Sequence, residues 1–171
     1  ITATDSGGSG VAVTEYSLDS AATWQTYTAP LVFSNDGSYF LALARSWDNA
    51  GNLEGPPDHV YFSIDKTPPT VTEAVDPTEI ARNNKRGVYV PVTYYGTASD
   101  SLSGINYLQS RLIDEYGVET RDLSGIQGIT QVEAWCEGSD QDGRIYTFQL
   151  TARDAAGNQA VAQATCNVPR R

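Results

Sequence analysis

Residues 151–158 read TARDAAGN, and residues 44–52 read ARSWDNAGN. Each phrase follows an apolar run and closes on Asp-x-Ala-Gly-Asn, so one chain writes the same turn twice. Gly51 and Gly157 supply a residue that takes positive φ without a Cβ penalty, and Asn52 and Asn158 tolerate the bend. The Asp carboxylates at 48 and 154 are placed to accept backbone N–H groups of the turn that follows them. The phrase therefore reads as a hairpin device ending a strand, repeated because the fold is repeated.

The copy extends upstream. TATDSGGSGV at the start matches TASDSLSGI at 97–105, each running from an Asp-Ser pair to Ser-Gly and a β-branched residue. Gly104 and Gly157 lie further apart than Gly10 and Gly51, which gives the second copy longer loops. Between the copies lies Asp65-Lys66-Thr67-Pro68-Pro69-Thr70, a stiff linker. These landmarks divide the chain into residues 1–66 and 67–171.

Helical periodicity is absent, and short alternating runs punctuated by Gly, Asp, Asn and Pro dominate. That pattern predicts an all-β chain of two tandem β-sandwiches. Val88, Val90, Val92 and Tyr94 share one strand face, as do Tyr146, Phe148, Leu150 and Ala152. Val132, Ala134 and Cys136 share another, and Ala160 to Val168 alternate in the last strand. Pro91 cannot donate to a ladder, which predicts an edge or a bulge there. Cys136 and Cys166 fall on inward faces and fit no zinc spacing, so one disulfide is expected, and with it an oxidising compartment.

The 171 residues carry a net charge of −10 and no methionine. Such acidity argues against nucleic acid, which needs clustered Lys and Arg. No apolar run is long enough to insert in a membrane as a helix. The opening Ile1-Thr2-Ala3-Thr4 already reads as strand, so the chain is expected to be a piece of a longer one.

Both copies resemble bacterial immunoglobulin-like repeats. The first, from TATDSGG to ARSWDNAGNLE and out through IDKTPPTV, is similar to the OmpL47-type repeats of secreted and surface proteins. The second is similar only at ASDSLSGI and LTARDAAGNQA. The resemblance implies a spacer or adhesion module of an extracellular or cell-surface protein. Its partners would be neighbouring immunoglobulin-like domains of the same chain, or copies in a fibre. The family pattern has one more strand ahead of TATD, so the first unit is expected to be truncated and to expose a sheet edge.

No residue set announces catalysis. There is no Gly-x-Ser-x-Gly elbow, phosphate loop or paired-His metal motif. The single His59 alternates outward with Tyr61 and Ser63. Lys66 and Lys85 sit in polar contexts, unlike the buried lysine an isopeptide cross-link needs. Two candidate sites remain. Asp65 from the linker, with Asp100, Asp154 and Asn158 from loops at one pole, offers hard oxygen ligands for Ca²⁺. Trp47, with Trp24, Leu41 and Leu43, offers an interaction surface for a neighbouring domain or a glycan. Tyr39, Leu41, Leu43 and Trp47 share the parity opposite the expected core face, which requires a bulge, local cover or a binding surface. A glycan there would make the chain a carbohydrate-binding accessory of a secreted hydrolase.

Overall fold

The computed structural model describes residues 1–170 and contains strands but no helix. It divides into two compact units, Ile1–Asp65 and Lys66–Arg171.

The second unit is a sandwich of two antiparallel sheets. Strands β5 (Thr70–Asp76), β6 (Tyr89–Ser99) and β9 (Gln127–Glu133) form one, in the order β5-β6-β9. Strands β7 (Ile105–Asp114), β8 (Arg121–Asp122), β10 (Arg144–Asp154) and β11 (Gln159–Val168) form the other, in the order β11-β10-β7-β8. Along β10 every second residue is fully buried: Tyr146, Phe148, Leu150 and Ala152. Tyr146 and Phe148 pack in one cluster with Val92, Tyr94 and Val132 of the facing sheet. Each large side chain so buried contributes about 1.5–3 kcal/mol, and the alternation fixes the register, because a one-residue slip would turn the whole set to water.

Two irregular features have local causes. Pro91 lies in β6, the middle strand, yet β5 pairs only with residues 93–99 of β6 while Pro91 faces Gln131 of β9. The missing N–H thus points to a stretch with no strand beside it. Past the end of β5 the chain crosses to the other sheet: Glu79 forms a parallel bridge with Asn167, Ile80 N–H donates to the Asn167 carbonyl, and Asn167 N–H donates to the Thr78 carbonyl.

The first unit repeats one of these two sheets. Strands β1 (Val11–Ser17), β2 (Gln25–Thr26), β3 (Gly37–Asp48) and β4 (Asp58–Ile64) pair in the order β2-β1-β3-β4. Anchored at Asp48 and Asp154, β3 corresponds to β10, β1 to β7, β2 to β8 and β4 to β11. By the registers, Phe40, Ala42 and Ala44 stand where Tyr146, Phe148 and Leu150 stand, and Phe62 where Cys166 stands.

The strands described in the first unit form one sheet, where the second unit has two. In the second unit the facing layer is β5-β6-β9, two of whose strands precede the Asp100 loop. The counterpart of β9 in the first unit, residues 27–36, has no β6 to pair with and forms no strand. Phe33 reaches across, edge-on to Phe62 at 4.7 Å and tilted against Phe40 at 6.2 Å. Val60 accordingly stays 54% exposed, and the apolar residues buried throughout belong to the second unit.

The expected disulfide is absent. Both cysteines are buried free thiols that lie apart. Cys166 faces the core from β11 opposite Tyr146. Cys136 lies three residues past β9, and its Sγ turns to the Pro169 carbonyl at 3.6 Å. Shared inward parity put both thiols in the interior but did not bring them together. Burial pushes the Cys166 thiol up to about 11, and the inference from a disulfide to an oxidising compartment falls.

Candidate functional site

The repeated phrases build the same clasp in both units. In the second, Asp154 N–H donates to the Asn158 carbonyl and Gly157 N–H to the Asp154 carbonyl. Asp154 Oδ1 accepts Asn158 N–H at 2.8 Å, and Oδ2 accepts Asn158 Nδ2 at 2.8 Å. In the first, Asn52 makes the same two bonds to Asp48 at 2.8 and 2.7 Å. Gly51 and Gly157 sit at φ 87° and 97°, in the left-handed region that favours glycine.

The upstream phrases fold as the matching half. Asp5 accepts N–H groups of Gly7 and Gly10 at 2.7 and 2.8 Å. Asp100 Oδ1 accepts those of Leu102, Ser103 and Gly104 at 3.1, 2.8 and 2.8 Å. One backbone bond then joins the halves: Asn49 N–H to the Gly10 carbonyl at 2.9 Å, and Ala155 N–H to the Gly104 carbonyl at 3.0 Å. These N–H donors, Gly7 and Gly10 first and the Ser9 hydroxyl after them, hold the Asp5 carboxyl below its ordinary range. The Asn52 side chain and backbone do the same for Asp48.

Of the candidate calcium ligands, Asp100, Asp154 and Asn158 belong to the second unit and Asp65 ends the first. Carboxylate oxygens of Asp100 and Asp154 approach within 4.8 Å. Asp154 is 1% exposed, and Asn158 occupies both its oxygens. Hard oxygens are thus present as the cation requires, while the turns themselves already engage much of their lone-pair capacity; Ca²⁺ takes six to eight oxygens.

The aromatic candidates lie on the outer face of the first sheet. Leu41, Leu43, Arg45 and Trp47 alternate outward between register shifts at Val11/Val13 and Gly37/Phe40, the second marked by Tyr39 at φ 60°. Arg45 covers this stretch: its guanidinium lies 4.0 Å from the Trp24 ring centroid and 6.0 Å from that of Trp47. Glu15 Oε2 accepts from Arg45 Nε at 2.8 Å and from the Trp47 indole N–H at 3.3 Å. All four candidate residues are half-buried. A sugar platform needs a free indole face, and one face of Trp24 is already taken by the cation. His59 is exposed, edge-on to Tyr61 at 5.6 Å.

The residue that sequence reading missed is Arg144, 1% exposed. Its Nε and Nη2 donate to the two oxygens of Asp114 at 2.8 and 2.7 Å, and Nη1 donates to Glu133 at 2.8 Å. Tyr116 and Tyr146 place their rings 4.8 Å from the guanidinium. Asp114 also accepts N–H groups of Tyr116, Val118 and Glu119. Burial acts to raise the Asp114 pKa, yet the Arg144 and backbone donors hold it below the ordinary value. The cluster ties β7, β9 and β10 together at the end of β10 remote from the clasp. An inward parity at position 144, matching Tyr146, was the only available signal.

No protein-family model and no curated protein matches the chain. Among solved structures, it is similar to the fibronectin(III)-like modules of Clostridium thermocellum CbhA at 18% identity, covering 97% of this chain and 82% of that one, with a TM-score of 0.38. For the N-terminal four Ig domains of Dscam1 isoform 9.44 the values are 12%, 91%, 37% and 0.30. For the D00-D0 domain of Intimin they are 14%, 90%, 77% and 0.25. These scores are low, and the immunoglobulin-like assignment rests on the strand order and facing sheets of the chain itself.

Proposed function

We propose that the chain is a non-catalytic structural module, a spacer or adhesion segment of a large extracellular or cell-surface bacterial protein. The observation that carries this reading is the clasp: two units with the same sheet order pass between corresponding strands through the same Asp-x-Ala-Gly-Asn turn, locked to the same upstream loop. What duplication has kept is the part that holds strands together. The neighbours of such a module are further immunoglobulin-like domains, in the manner of the OmpL47-type repeats that its first unit resembles.

A second reading is assembly by strand complementation: exposed Val60 on the inner face of the first sheet would be covered by a strand from a second molecule. Sedimentation over a concentration series separates the two, since complementation requires association and a spacer does not. The rival carbohydrate-binding reading is tested on a glycan array with Trp47→Ala beside the unaltered chain. A spacer binds no glycan in either form, and glycan binding lost in the variant would overturn the proposal.

A further inference from the structure

Glu73 occupies an unusual place. It lies in β5, the edge strand of the three-stranded sheet, on the inward side with Val71 and Val75. Both carboxylate oxygens are buried and have no hydrogen-bond partner among the described residues. Its cross-strand partner is Gly96, whose missing side chain makes the room. A Cβ there would stand 2.8 Å from Glu73 Oε2, 2.6 Å from Leu150 Cδ2 and 2.9 Å from the Ile126 carbonyl oxygen. The carboxyl group therefore lies over the backbone of β6 and against the core.

Among the described residues nothing around it compensates a charge. From β6 the titratable neighbour is Tyr94, whose hydroxyl donates to the Ser124 carbonyl. β10 turns Leu150 and Ala152 inward, and β7 turns Ser110 and Leu112. β11 carries no titratable side chain from Gln159 to Thr165. Among the described residues no cation lies against the group, and burial alone pushes its pKa up to about 7.

We propose that Glu73 is a pH-operated latch on strand β5. Neutral, the side chain lets the edge strand lie against the core. Ionised, it must reach water, and it draws β5 off residues 93–99 of β6, whose ladder partner is then lost. The carboxyl is harder to ionise in the closed strand than in the opened one, so closure is fully favoured below the ordinary Glu pKa. That preference falls as pH rises and levels off above about 7.

Amide hydrogen exchange at residues 70–76, corrected for intrinsic rates, tests the latch on the unaltered chain. Between pH 5 and pH 8 opening should become roughly 70-fold more frequent, and Glu73→Gln should remove that dependence while the Asp114 end of the sandwich behaves as before. Equal protection at both pH values, or a Glu73→Gln variant that keeps the dependence, overturns the proposal. Should the variant fail to fold, ¹³C carboxyl titration of the unaltered chain decides. A Glu73 midpoint near 7 supports the latch, and one in the ordinary range between 4 and 5 overturns it.

Discussion

Asp114→Asn tests the account of what holds the second sandwich. The substitution keeps the size and one carbonyl oxygen, which still serves some of the N–H groups of Tyr116, Val118 and Glu119. It replaces the other oxygen by an NH₂ group, turning donor against donor at one of the two Arg144 contacts. Removing one partner of a buried ion pair costs about 3–5 kcal/mol. Glu133, still 2.8 Å from Nη1, and Glu119, 3.7 Å from Nη2, keep counter-charge in place, so the lower end, about 3 kcal/mol, is expected. At about 4–8 °C per kcal/mol for a domain near this size, the transition of the second unit should fall by roughly 12–24 °C. Calorimetry of the whole chain, with urea titration at 25 °C, measures both quantities. The acid limb supplies a second readout. The Asp114 carboxyl is held below its ordinary value of 3.8, so its contribution is present above that pH and is lost as pH falls through the native pKa. That loss should be missing from the variant. A cost under about 1 kcal/mol, with an unchanged acid limb, would refute the view that Arg144 organises this end.

Two further outcomes are expected. Gly157→Ala forces a Cβ into the left-handed region at φ 97°, with open space around it, so the penalty is purely backbone, about 1–2 kcal/mol by chemical denaturation. Gly51→Ala should cost the first unit a like amount, since its clasp is the same. If Asp100, Asp154 and Asn158 of the second unit hold Ca²⁺, as their residue types predict, millimolar calcium will raise the melting temperature and Asp100→Asn will abolish the rise. No change on adding calcium counts against the site.

The second sandwich was open to reading because its strands alternate cleanly. Tyr146, Phe148, Leu150 and Ala152 declare an inward face by period alone, and the Asp154 to Asn158 turn marks where the strand must stop. Pro91 signalled an irregular ladder, and the structure shows its local form, a stretch of β6 flanked on one side only. Parity also put Cys136 and Cys166 inside. It says which way a side chain points and nothing about how far along a neighbouring strand its counterpart lies, so the disulfide did not follow. Arg144 stayed hidden because a lone charge on an apolar face is ordinarily solvated, and its partners Asp114 and Glu133 are distant in sequence. The correspondence of Phe40 with Tyr146 and of Phe62 with Cys166 becomes visible once the two sheets are set side by side.

The parallel patch between Thr78–Ile80 and Asn167 has a mechanical consequence. It joins the chain just past the unit's first strand to the residues just before its end. Tension applied at the two ends of the unit pulls these neighbours in opposite directions along their length. The bonds at Ile80 and Asn167 are then strained together in shear and must rupture as a group, whereas an antiparallel hairpin pulled from its open end unzips one rung at a time. The same few bonds therefore resist a stretching force better than their number suggests.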